Sequence, residues 1–350
     1  MIQDRNKIFE LLAGEEDRKN QRKEAIRAAL GAGTIPVPDD IRNAVVGLFI
    51  TDAMEVLRSH PGFDLEDKFR SIRTALQLFD QSFSDLMGVL DAFDAFSRRP
   101  EFSYRSHRDE VAAIERRIRK ETFAFSELAH SLQDHCRRVR RGWEPSETAN
   151  ELSRCFRDDG LHDFICGLRS ALHHLLMVEA NWQIRDVGPA ATSHFVFSRS
   201  ELMAAKPDWN TGARRYLESC AEEIDIRVVA QAYYPRVHAF YDWLLDEAQT
   251  APPPEVADYR RCWNAHQAHN LRMAWRFLLK ECLKREIDPY AYLERYLTPA
   301  ELDAALQLPR YSQEQADFII QVVDELAACD DELRMLVYRL FRVPQESQQG

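Results

Sequence analysis

Residues 161–177, LHDFICGLRSALHHLLM, decide the fold. Leu161, Phe164, Ile165, Leu168, Leu172, Leu175 and Leu176 recur there at three- and four-residue steps, the period of an amphipathic helix. At about 100° per residue, Arg169 projects about 80° from the centre of that stripe, and His174 about 140° from it on the other side. Neither belongs to the helix's own core, so the pair faces solvent, a cleft or a second copy of the chain. A guanidinium and an imidazole suffice to bind a phosphate and move a proton near neutral pH.

Working outward, helical periodicity dominates. Residues 101–141 contain neither proline nor glycine, which predicts one helix of about 40 residues or two nearly continuous ones. Trp143-Glu144-Pro145-Ser146 breaks the chain before the Arg169 segment. After it, residues 181–198 alternate around Val187-Gly188-Pro189 as a β-hairpin would. Ser200 and Asn210 or Thr211 are placed to cap the next two helices. Val229, Tyr233, Val237, Phe240 and Leu244 then mark an apolar helix face with a kink expected near Pro235.

Upstream, Gly31 to Pro38 separates a first helix from a second, with Asp39 or Asp40 as its cap. Val45, Phe49, Ala53 and Val56 mark that second helix, which Pro61-Gly62 stops. A third is expected from about Asp64 to Phe96. Downstream, Ala251-Pro252-Pro253-Pro254 marks a junction, followed by a long helix and three or four shorter ones. The fold expected is mostly α. A bundle of long antiparallel helices with one small β-hairpin (101–250) lies between N-terminal (1–100) and C-terminal (251–350) helical subdomains.

Arg169 followed after four residues by His174 resembles the R-x4-6-H motif of the HEPN superfamily, helical-bundle proteins many of which are metal-independent endoribonucleases. The resemblance covers roughly residues 101–250, through an aromatic-containing helix, the motif, the hairpin and the helix that follows. Ser170 stands where that family usually carries Asn, Asp or His. His173, about 40° from Arg169 around the helix, is the closer neighbour by geometry, whereas family spacing selects His174.

The resemblance implies attack of a ribose 2′-hydroxyl on the adjacent phosphorus, with His174 as general base or acid. Arg169 would neutralise the phosphoryl oxygens, with Ser170 and His173 in support. It further implies a homodimer with the motif in the groove between subunits, no metal and no cofactor. A toxin or phage-defence role, with a protein antitoxin or sensor as partner, follows from the resemblance alone. The other reading the residues allow is a non-catalytic helical scaffold that binds a protein or RNA.

Arg116, Arg117, Arg119 and Lys120, with Arg137, Arg138, Arg140 and Arg141, form the most basic stretch, either an RNA-backbone contact or a solvated face. The net charge of −11 argues against a protein that coats nucleic acid, so any RNA contact must be local. Cys262, His266 and His269 share one helix face but lack a fourth ligand, and a polar surface or inter-domain contact is expected there. Seven cysteines without a C-x-x-C pair predict reduced thiols and a cytoplasmic setting. No apolar run reaches the roughly 20 residues of a membrane span. No Walker loop, Rossmann fingerprint, H-E-x-x-H or nucleophile elbow is present.

Overall fold

A computed structural model describes residues 18–28, 53–99, 102, 104–174, 181–185, 192–205 and 208–344. The Gly31–Pro38 linker, the caps at Asp39 or Asp40, and Val45 and Phe49 lie outside them. The chain divides into two compact units, residues 64–253 and residues 1–63 together with 254–350.

In the first unit, α1 (Phe63–Ser97) and α2 (Arg108–Arg140) are the long helices. They run antiparallel: Phe69 meets Trp143 just past the end of α2, Phe79 stacks on Phe125 at 4.9 Å, and Phe96 meets Phe102. The 101–141 stretch thus holds one long helix of 33 residues, directly preceded by a 3-10 turn at Arg105–His107. The short α3 (Thr148–Phe156) leads into α4 (Leu161–His174), the helix of the opening stretch. Leu161, Phe164, Ile165, Leu168 and Ala171 are buried. Leu175 and Leu176 lie outside the described residues.

Strands β1 (Asn181–Arg185) and β2 (Thr192–Ser198) form the expected hairpin, with Asn181 opposite Val196 and Arg185 opposite Thr192. Beyond the expectation, a third short strand, β3 (Glu223–Asp225), pairs antiparallel with β2. Phe195 of β2 packs edge-on against Phe93 of α1 at 4.7 Å, which seats the sheet on the bundle.

Helix α5 (Arg199–Ala205) is capped by Ser198, whose hydroxyl accepts from the Glu201 N–H at 3.2 Å, rather than by Ser200. Asn210 caps α6 (Thr211–Ser219). Asp225 begins α7 (Ile226–Thr250), accepting from the N–H groups of Arg227 and Val228. That helix continues through Pro235 and runs antiparallel to α1, since Arg227 pairs with Asp91 and His238 with Asp80. Helix α1 therefore belongs to this unit, and residues 64–97 do not group with the N-terminal segment as a 1–100 subdomain would require.

The second unit begins its C-terminal part at α8 (Pro254–Lys284), whose first residue is the proline that tolerates only a helix start. Residues 53–63 pack on its first turns. A Cβ on Gly62 would lie 2.0 Å from the Glu255 carbonyl oxygen, and Phe63 meets Tyr259 edge-on. A 3-10 turn (Pro289–Arg295), α9 (Pro299–Gln307), α10 (Gln313–Val323) and α11 (Asp331–Leu340) complete it around Leu293, Ala305, Ile320 and Leu333. Asp330 caps α11, accepting from the Leu333 N–H at 2.9 Å. No helix among the described residues is long and apolar enough to cross a membrane.

Candidate functional site

The position of α4 is set at its first turn. Asp159 accepts from the Leu161 N–H at 3.1 Å and pairs with Arg236 of α7 at 2.8 Å. Burial pulls this carboxyl upward, yet Arg236 and the Leu161 N–H together hold it below the usual range. Gly160 has φ of +79°, and a Cβ there would sit 2.0 Å from the Gly212 carbonyl oxygen, so both the turn and the approach to α6 require glycine.

From this start, the edge of α4 facing α2 presents His162, Cys166 and Arg169 in turn. Arg169 Nε lies 2.5 Å from Glu127 Oε2 of α2, and both side chains are 40% exposed. The guanidinium is off the buried stripe, held by a carboxylate on the neighbouring helix and open to solvent. Ser170 is half-buried. The backbone of α4 reaches His174, but the side chains of His173 and His174 lie outside the described residues.

The two basic clusters share α2 rather than lying on two helices. From Arg116 to Arg138 the axial rise is about 33 Å. At about 100° per residue, Arg116, Lys120, Arg138 and Arg141 fall within about 40° of Glu127, the first two on one side of it along the axis and the others beyond. Arg117, Arg119, Arg137 and Arg140 point further round. Lys120 pairs with Glu121, Arg137 with Asp134 and Arg140 with Glu144. Among the described residues, Arg116, Arg117, Arg138 and Arg141 have no carboxylate partner. They are exposed, and they leave a broken line of positive charge with the Arg169–Glu127 pair near its middle.

At the start of the same helix edge lies an arrangement that mimics a Cys–His dyad. The Gln133 amide donates to His162 Nε2 at 3.0 Å, so the ring proton sits on Nδ1 and is donated to the Tyr233 hydroxyl at 2.8 Å. Cys166 Sγ is 3.9 Å from the same Nε2. Burial pushes the thiol up to about 12 and the imidazole down to about 4. An activated dyad needs the opposite pair of shifts, so this network is structural.

Cys262 is buried in a cluster with Tyr259, Leu57 and Trp263, and His266 is buried beside Trp263, so of the two expectations for that face of α8 the polar surface fails and a contact with the N-terminal segment is found. The donors that converge there are His60, Asp258 and Cys262, within 4.8 Å of one another. The Gly62 N–H donates to His60 Nδ1 at 3.1 Å, which leaves the proton on Nε2, and Nε2 donates to Asp258 Oδ2 at 3.1 Å. The nitrogen facing the cluster is thus protonated, and the three groups lock residues 60–62 onto α8. All seven cysteines are free.

Glu127 is the residue that sequence reasoning missed. It lies between two basic clusters in a helix whose register against α4 no local pattern reveals. Comparison with protein-family models, with curated proteins and with solved structures finds no match for this chain.

Proposed function

We propose that the protein is a metal-independent endoribonuclease of the HEPN type. The observation that carries this reading is the state of Arg169: partly exposed, outside the buried stripe, fixed by Glu127, and flanked along α2 by exposed cations that have no carboxylate partner among the described residues. A guanidinium anchored through Nε has a fixed orientation toward phosphoryl oxygens, and electrostatic help of that kind dominates phosphoryl transfer. Arg116, Arg138 and Arg141 would hold the flanking backbone.

In the reaction, His174 takes the proton of the ribose 2′-hydroxyl or delivers one to the departing 5′-oxygen. Two copies of the chain would bring two such motifs to one groove, with the substrate linkage between them. A toxin or defence role, restrained by a protein partner, follows from the family resemblance.

A second reading is favoured by the same ion pair: Arg169–Glu127 ties α4 to α2 as a structural bridge in a scaffold that binds protein or RNA. One experiment separates the two. The purified chain and its Arg169→Ala and His174→Ala variants are incubated with end-labelled RNA in EDTA, and product ends are analysed. The nuclease reading expects cleavage that survives chelation, leaves 2′,3′-cyclic phosphate ends and is lost in both variants. Equal cleavage by all three proteins ends it.

A further inference from the structure

The second unit contains a concavity that the ribonuclease reading does not use. It has a volume of about 380 Å³ and opens between α8, the 3-10 turn and helices α10 and α11. Its floor is the unit's own core, with Leu279, Leu293, Ile320 and Phe341 each less than 10% exposed. Its rim carries large apolar groups left in water, Leu278 at 46% and Tyr296 at 59% exposed. Volumes of 300–1,000 Å³ with an apolar lining and a few polar groups are typical of small-molecule sites.

Among the described residues, one charged side chain lines it, Arg295, stacked over the Tyr292 ring at 5.2 Å. Several cations around it are matched, Arg272 and Arg276 by Asp330 and Glu332, Arg310 by Asp288 and Arg334 by Asp317, while Arg339 and Arg342 line a separate concavity. Arg295 has no carboxylate partner among the described residues. An apolar hollow with one unmatched planar cation at its edge complements an apolar body ending in one anion, and the guanidinium fork fits a carboxylate in two-point contact.

From this charge and shape complementarity we infer that the C-terminal unit binds a small amphiphilic carboxylate, its alkyl or aryl body in the hollow and its carboxylate on Arg295. The site is independent of the Arg169 chemistry.

Calorimetry on the full chain tests it with three probes: decanoate, decanol, which keeps the tail and lacks the charge, and acetate, which keeps the charge and lacks the tail. Decanoate is expected to bind at one site per chain, decanol about tenfold more weakly, and acetate not at all up to about 1 mM. Arg295→Gln should lower decanoate affinity to that of decanol and leave decanol unchanged. Val323→Trp, which fills the hollow from its half-buried wall, should remove both while circular dichroism stays helical.

Decanoate should also shield Cys282, which lines the hollow, from maleimide labelling. Equal affinity for decanoate and decanol overturns the assignment, as does binding that survives Val323→Trp. So does a dimer that shields Cys282 and takes up none of the three probes.

Discussion

The two ends of one edge of α4 carry similar chemical groups in opposite states. At the start, His162 and Cys166 lie beneath Tyr233 and Phe156, where burial removes the charge from both. Two turns on from His162, Arg169 stands 40% exposed, paired with Glu127. The edge is the same, and so is the neighbouring helix. What differs is depth: a pair with catalytic spacing is silenced by desolvation, while a lone cation at the solvent end keeps its capacity to bind phosphate.

The strongest way to break this contrast is substitution at each end. Arg169→Ala should reduce RNA cleavage about 10²–10³-fold while shifting stability by no more than about 0.5 kcal/mol, as surface changes do. Tyr233→Phe should do the reverse. Removing a fully buried hydroxyl from the His162 network should cost about 1–3 kcal/mol in urea unfolding and leave the cleavage rate per folded molecule unchanged. If Arg169→Ala costs stability and spares the rate, the exposed end is structural too.

The buried end makes a pH prediction whose sign follows from linkage. His162 titrates near 4 when folded and near 6.5 when unfolded, so between these values the unfolded chain binds the extra proton. Its contribution to stability is complete above about pH 6.5, is lost as the pH falls toward 4, and amounts to roughly 3 kcal/mol at most. Urea midpoints from pH 7 to pH 4.5 should fall in the wild type and fall less in His162→Gln. Parallel curves would mean that other groups carry the acid sensitivity.

Much of this was legible locally. Asn210 announces a helix start with its own side chain, and the alternation around residues 181–198 marks a hairpin without reference to the rest of the chain. The stripe on α4 was equally plain, since Leu161, Phe164, Ile165 and Leu168 are all buried. Ser200 shows the margin of such reading, because Ser198, two residues earlier, supplies the cap.

What escaped was register between distant segments. Glu127 meets Arg169 across 42 positions, and His60 meets Asp258 across 198, through packing that no periodicity encodes. The same blindness put residues 64–97 with the N-terminal segment, although their aromatic side chains pack on α2 and α7. Burial at Cys262 was hidden for the same reason: residues that cover it, Leu57 among them, come from the start of the chain.

Glu127 sharpens the contrast at its exposed end. Glu127→Gln preserves the shape of the carboxylate and removes its charge, so the guanidinium loses its anchor. If Glu127 orients Arg169, cleavage should fall about tenfold, with the loss in kcat and KM little changed, as expected when an interaction made in the transition state is weakened. A rise in activity would mean that the carboxylate competes with RNA for the guanidinium.

The smallest effect concerns the broken line of charge on α2. Arg116 and Arg138 lie on either side of Glu127, each about 16 Å away along the axis, so neither can reach the linkage that Arg169 would hold. Their contribution is confined to the flanking backbone, and binding must be separated from cleavage to see it. RNA methylated at every 2′-oxygen supplies that separation, because the proposed reaction needs the free hydroxyl. With two phosphate contacts removed, the double variant Arg116→Gln/Arg138→Gln should show a shallower dependence of log affinity on log salt. The change is about 1.4, or roughly 0.7 for each contact to a single strand. At low salt the affinity loss should be severalfold, while the cleavage rate of saturating unmodified RNA stays near wild type. An unchanged salt slope would return both clusters to the solvated face that their sequence equally allows, leaving Arg169 to contact the phosphate backbone without help from α2.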